Sequence, residues 1–318
     1  MPSNVTKKIL DRIGEPGLFH LLTDGLTGTE LNSLLLEVVR DKAKKTSAPA
    51  LLNQYQLNRF VKPADLPVLE LKQAELDLLK LFKNHLFEPT ELSPVSILGA
   101  CSAVGPADQN NVLSALRGTE VLADATNAMA LHICDLKKRR LWQPKIPAEK
   151  LRLSTIQRHV RTQTISAAGF TPHFKIGCFV TSGFDTGNFT FEKEALLEHL
   201  RLMKAIYNGY YGVQDVSFRF LCRKGYQDSL RLANEVKAYV QGEASEVRIE
   251  IVERPEKDIT YYKGLQYKTD ILWKDKIFEI ADGGLVDWTQ KILQNKKERF
   301  LIGGIGFEFM FRIMNDML

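Results

Sequence analysis

Residues 261–293 read YYKGLQYKTDILWKDKIFEIADGGLVDWTQKIL, and residues 297–313 read KERFLIGGIGFEFMFRI. The first stretch predicts a strand carrying the pair Tyr261 and Tyr262, then a second strand ending in Asp282-Gly283-Gly284. The second stretch predicts an apolar strand, punctuated by Gly303, Gly304 and Gly306, that runs into a final helix. Three glycines in four residues exceed what strand packing alone commonly needs. On a strand, Tyr261 and Tyr262 point to opposite faces, so at most one of them can line a pocket. Taken alone, Asp282-Gly283-Gly284 is most economically a turn.

Upstream, strands and helices alternate. LSTIQRHVRTQ and HFKIGCFVTSGF predict two antiparallel strands around the loop Thr164–Thr171. A helix from Glu192 to about Tyr207, the strand VSFRFLC, a helix from Tyr226 to about Val240 and the strand VRIEIVE follow. Before them lie a periodic helix over about 69–86 with Leu71, Leu76, Leu79 and Phe82, a short strand near Pro94, and the hairpin VLSAL/TEVLAD. A helix then opens at Thr126. Long antiparallel pairs interleaved with helices predict an α+β domain built on a mainly antiparallel sheet flanked by helices. Residues 1–66 form a small helical N-terminal segment. Thr27 and Glu30 make a capping box there, ahead of Leu31, Leu34, Leu35, Val38 and Val39 at helical spacing. The proline-rich loop with Pro63 separates it from a domain spanning 67–318.

Apolar residues make up 44% and charged residues 25% of the chain, which argues against disordered and fibrous classes. The net charge of +5 is mild and the signs alternate along the helices, so a solvated surface is favoured over a nucleic-acid footprint. The densest basic run, Lys137-Lys138-Arg139-Arg140, ends a helix, where cations complement the dipole. No apolar run is long enough to span a bilayer, and the N-terminus lacks a secretion signal, so a cytoplasmic location is expected. Cys101, Cys134, Cys178 and Cys222 are scattered without metal-ligand spacing and read as reduced thiols. A P-loop, a Rossmann fingerprint and a GxSxG elbow are all missing, which weakens hydrolase and dehydrogenase readings.

The order of segments in 261–313 resembles the last third of the catalytic domain of histidyl-tRNA synthetase, a class II aminoacyl-tRNA synthetase. The likeness extends over roughly 69–318. The helix and strand at about 69–97, with Pro94, resemble motif 1, which implies a homodimer through that region. RGTEVLADATNAMAL resembles the substrate-pocket segment, with Thr126 at its threonine and Glu120 or Asp124 at its acid. Val160-Arg161-Thr162-Gln163 and Pro172-His173-Phe174-Lys175-Ile176 resemble motif 2, within about 153–184. The final strand and helix, about 299–318, resemble motif 3.

The resemblance implies roles for these positions. Arg161 would pair with the α-phosphate of ATP, a task suited to a planar guanidinium. Phe174 would lie under the adenine, and Arg312 would cover its other face or reach the γ-phosphate, making Arg161 and Arg312 the catalytic candidates. Gln163 and His173 join the nucleotide-binding set, and Glu279 is the candidate for holding Mg²⁺. Read on its own, His173 is a structural or loop-facing histidine. Lys257, Tyr261, Tyr262, Asp282, Gly283 and Gly284 would line the amino-acid pocket. The sequence departs from the family at Gln163, for a glutamate; at Lys257 and Leu285, for arginines; and at Met310, where motif 3 has glycine.

With the chain ending at Leu318, before the position of an anticodon-binding domain, these departures imply a synthetase-like paralogue. Such a protein would bind a nucleotide or amino acid, or both, in a regulatory or accessory role. The regulatory subunit of ATP phosphoribosyltransferase is the family analogue, and it implies a partner enzyme. The alternative is a free-standing ATP-dependent ligase that joins a carboxylate to an amine through an acyl-adenylate. ATP and Mg²⁺ are the implied cofactors; tRNA ranks last among the partners, and no membrane is implicated.

Overall fold

The computed structural model describes residues 2–164 and 171–318. Most of the loop expected between Thr164 and Thr171 therefore lies outside the described residues. The N-terminal segment holds α1 (Asn4–Ile13), α2 (Leu18–His20), α3 (Gly28–Lys44) and α4 (Ala48–Leu57). The capping box is formed: Glu30 N–H donates to the Thr27 hydroxyl, and Thr27 N–H donates to the Glu30 carboxylate at 2.8 Å. Of the apolar side chains in residues 2–66, Leu10 alone is buried.

The main body begins with α5 (Val68–Asn84), which buries Leu71, Ala74, Leu78 and Phe82 at helical spacing. In chain order there follow β1 (Glu88–Pro89), β2 (Val95–Ile97), β3 (Ser114–Ala115), β4 (Thr119–Val121) and α6 (Ala125–Lys138). Then come β5 (Leu151–Val160), β6 (His173–Phe184), α7 (Thr190–Lys204), β7 (Asp215–Cys222), α8 (Ser229–Glu243) and β8 (Ile249–Val252). The C-terminal part is β9 (Leu265–Trp273), β10 (Lys276–Val286), α9 (Trp288–Leu293), β11 (Glu298–Ile305) and α10 (Phe307–Met314).

The large sheet runs β1-β5-β6-β11-β10-β9-β7-β8; its inner pairs are antiparallel and only the edge pairs β1–β5 and β7–β8 are parallel. The α+β architecture expected from the sequence is the one observed. Residues alternate between the two faces with period two, as a pleated strand requires. On β11, Leu301 and Ile305 pack under α5, α7, α8 and α10, while Phe300 and Ile302 pack against α6 and α9. Met310 sits in the first of these cores.

Two local expectations are corrected. Tyr261 and Tyr262 precede β9, which starts at Leu265, so strand alternation does not govern where they point. Asp282-Gly283-Gly284 is not a turn: β10 continues through it to Val286, and Gly283 stands opposite Gly303 on β11. That pair of glycines makes room for one phenol. A Cβ at either position would collide with Tyr267. The Tyr267 hydroxyl lies 3.0 Å from His199 Nδ1, whose Nε2 is 3.0 Å from the Thr181 hydroxyl, giving a buried polar chain beneath the sheet.

Candidate active site

A cleft of about 450 Å³ opens over β5, β6, β11 and β10, on the side away from the Tyr267 chain. Its floor follows from strand alternation. Phe174, Ile176 and Cys178 line it from β6, and His159, Arg161 and Gln163 line it from β5 and the residues just after it. Ile280 and Ala281 line it where β10 slips register against β9 between Glu279 and Ala281. Gly304 contributes absence. A Cβ there would meet nothing nearer than Ile176 Cγ2 at 3.8 Å, so its missing side chain is open space on the floor.

The deep end is acidic. Asp124 caps α6, its Oδ1 accepting from Thr126 N–H at 2.8 Å and from the Thr126 hydroxyl at 2.6 Å. The Tyr261 hydroxyl donates to its Oδ2. Asp282 accepts from the Tyr262 hydroxyl at 3.0 Å and from Gln266 Nε2 at 3.2 Å. Burial lifts the Asp282 carboxyl above the usual range, with the Tyr262 bond opposing it. The Tyr261 and Tyr262 rings meet edge to face at 4.9 Å. Gly284 permits this arrangement, because a Cβ would lie 2.7 Å from the Tyr262 ring. Neither aspartate has a cation within ion-pair distance among the described residues.

The exposed end is basic. The Arg161 guanidinium lies 5.4 Å from the centre of the Phe174 ring, and its Nε donates to Ala123 O at 3.1 Å. Arg59, from the N-terminal segment, donates to the carbonyls of Thr162 and Gln163. Neither arginine has a carboxylate partner among the described residues. The other charged groups in the lining are compensated. Lys175 pairs with Glu75, Glu279 with Lys268 and Arg219 (2.6 and 2.9 Å), and Glu308 with Arg158 and Arg312 (3.2 and 3.3 Å). Against its burial, Lys268 and then Arg219 hold the Glu279 carboxyl below its usual range.

His159, fully buried between the two ends, accepts a hydrogen bond from Ala125 N–H through Nε2 at 2.9 Å. Burial first, then the Arg161 charge, push its pKa down to about 4, with Asp124 opposing. It is a neutral cap on the first N–H of α6.

Asp124, Thr126, Arg161, Gln163, Phe174, Tyr261, Tyr262, Glu279 and Asp282 thus meet around one cleft. Six of the sequence candidates lie outside its lining. Glu120 is spent within the fold, accepting from Gly99 N–H, Cys101 N–H and Gln109 Nε2. Lys257 is exposed, and its carbonyl accepts from Arg223. Gly283 and Gly284 make space for tyrosines rather than for the cavity. His173 accepts from Arg158 at Nδ1 (3.0 Å) and donates from Nε2 to Lys62 O (2.6 Å), pinning the N-terminal segment. Arg312 is buried behind Glu308.

Glu279, the sequence candidate for Mg²⁺, is committed to two cations. Among the described residues no group of three His, Cys, Asp or Glu side chains is placed to hold a metal. Arg59, His159, Cys178 and Glu308 were absent from the sequence candidates. Period-two extension from Arg161 and Phe174 reaches His159 and Cys178; no local signal marks Arg59, whose contacts lie about a hundred residues away in sequence.

No family model matches the chain, and no curated protein matches it. Solved structures do. The chain is similar to an ATP phosphoribosyltransferase regulatory subunit/histidyl-tRNA synthetase from Bacillus halodurans (TM-score 0.63, 11% identity, 81% of this chain and 83% of that one). It is also similar to apo histidyl-tRNA synthetase from S. aureus (TM-score 0.58, 12% identity, 80% and 68%). A third likeness is to a structure described as threonyl-tRNA synthetase ThrRS-1 from Aeropyrum pernix (TM-score 0.61, 11% identity, 77% and 60%). The chain has the fold of a class II aminoacyl-tRNA synthetase catalytic core.

Proposed function

We propose that this synthetase-like chain binds a nucleotide and an amino acid, or a molecule joining the two, in a regulatory or accessory role. The observation that carries the reading is the charge left over in the cleft. After every internal ion pair is removed, two guanidiniums remain at the exposed end and two carboxylates at the buried end. Uncompensated charges facing a cavity favour ligands of complementary sign. Phosphates suit Arg161 and Arg59, a purine ring suits the apolar floor by Phe174, and an ammonium suits Asp124 and Asp282, whose other lone pairs already accept from Tyr261 and Tyr262.

The binding role is favoured over the ligase because Arg312 faces Glu308 rather than the cavity. Acyl-adenylate formation depends on stabilising phosphate charge in the transition state, and among the described residues the cations of the lining without a carboxylate partner are Arg161 and Arg59. On this reading Mg²⁺ reaches the site only on the phosphates of the nucleotide. A homodimer through α5 and β2, where Leu69, Leu76 and Ile97 are exposed, and action on a partner enzyme in the cytoplasm complete the proposal. No described helix is long and apolar enough to cross a membrane.

Thermal denaturation with ATP, with each amino acid, and with both together tests the reading. Saturating ligand raises stability by about 2.7 kcal/mol at a hundredfold excess over Kd. Arg161→Ala removes a charge-assisted contact worth about 1.5–3 kcal/mol, so it should abolish most of the ATP-induced shift. Pyrophosphate exchange separates the two functions: a shift without exchange supports a binding role, and amino-acid-dependent exchange supports the ligase. A wild-type protein that responds to neither ATP nor any amino acid refutes both.

A further inference from the structure

We infer that the N-terminal segment completes the nucleotide site, and that Arg59 is a second phosphate-binding guanidinium. The inference rests on the proposed nucleotide binding and adds to it a residue of the N-terminal segment. Residues 58–62 lie against the β5–β6 arm and are fastened to it at three points. Arg59 Nη1 donates to Gln163 O at 3.3 Å, its Nη2 donates to Thr162 O, and His173 Nε2 donates to Lys62 O at 2.6 Å. The tautomer is fixed by the neighbouring cation: Arg158 Nη1 donates to His173 Nδ1 at 3.0 Å, so the ring proton is on Nε2 and points at the strap.

Among the described residues Arg59 is held by carbonyls and has no carboxylate partner. Two of its five N–H groups go to backbone carbonyls, and Phe60 supports the plane from 4.5 Å. Arg59 borders the same cavity as Arg161 and Phe174. A guanidinium fixed by two backbone carbonyls at the border of a cavity, with N–H groups to spare, is prearranged for phosphate oxygens. Arg161 lies against Phe174 and Arg59 lines the same cavity, so a base stacked on that ring would have both guanidiniums available to its phosphates. Binding would thereby tie the N-terminal segment to the motif 2 arm more firmly.

The test compares wild type with Arg59→Ala and Arg59→Lys, titrated with ATP and with adenosine by calorimetry or thermal shift. Arg59→Ala should weaken ATP at least tenfold and leave adenosine within twofold; Arg59→Lys should recover part of the loss. Because Arg59 is exposed, the variants should denature within a few degrees of wild type, which is checked first. If adenosine and ATP weaken equally, the residue merely shapes the arm and the inference fails. If ATP binding is undiminished, it fails as well. A wild type blind to ATP removes the underlying functional reading instead, and the wild-type titration therefore separates the two failures.

Discussion

Replacing His159 by asparagine should flatten the acid side of the stability profile. The buried imidazole has its pKa pushed down to about 4, against 6.5 for a free side chain. The unfolded chain therefore binds a proton that the folded chain refuses, throughout the interval between those values. A depressed folded pKa means that stability is intact above the unfolded value and declines as pH falls toward the folded one. The structure gives the reason: a proton on Nε2 would replace the acceptor of Ala125 N–H with a donor, and would put a cation beside Arg161 and the N-terminus of α6. Linkage gives a loss of about 2 kcal/mol between pH ~7.5 and pH ~5, with a limiting slope of about 1.4 kcal/mol per pH unit. Asparagine can still accept from Ala125 N–H but does not titrate. Urea denaturation of both proteins at several pH values cancels the carboxylates and His199, which both chains share. The stability gap between wild type and His159→Asn should shift by about 2 kcal/mol in favour of the variant over that range. Parallel profiles would refute the assignment of a neutral, buried cap.

Two further outcomes are expected. Gly303→Ala should cost about 1–3 kcal/mol by overpacking, because its Cβ would strike the Tyr267 hydroxyl and come within 2.5 Å of Phe179; chemical denaturation should show Tyr267→Phe relieving part of that cost in the double variant. Glu298→Ala should cost about 3–5 kcal/mol by stranding Lys137, which is buried between Trp142 and Phe184 with Glu298 at 2.5 Å, whereas Lys137→Met with Glu298→Leu should be far milder in the same assay.

Strand periodicity made most of the sheet legible in the sequence. LSTIQRHV and HFKIGCFVTSGF form the antiparallel pair expected, from Leu151 with Ser182 to Val160 with His173, and carry Arg161 and Phe174 to one cavity. Glycine was the weaker guide. Gly283, Gly284, Gly303 and Gly304 look equivalent in a string of letters, yet three yield to tyrosine rings and one faces open space. The difference depends on what stands across the sheet, which local sequence does not contain. Arg312 and Glu120 had the right chemistry at motif-like positions, but nearby donors and acceptors claimed them. His159 was hidden for another reason: within LSTIQRHV it reads as one more inward residue, and only its distance to Ala125 gives it a role.

The opposite polarity of the two ends of the cleft gives any occupant a heading. A zwitterion or an aminoacyl phosphate can dock one way round only, since reversal would set carboxylates against phosphate and arginines against ammonium. Trimming such a molecule from either end would then report on one set of anchors at a time, so a short series of fragments could read the two halves of the cavity as separate instruments.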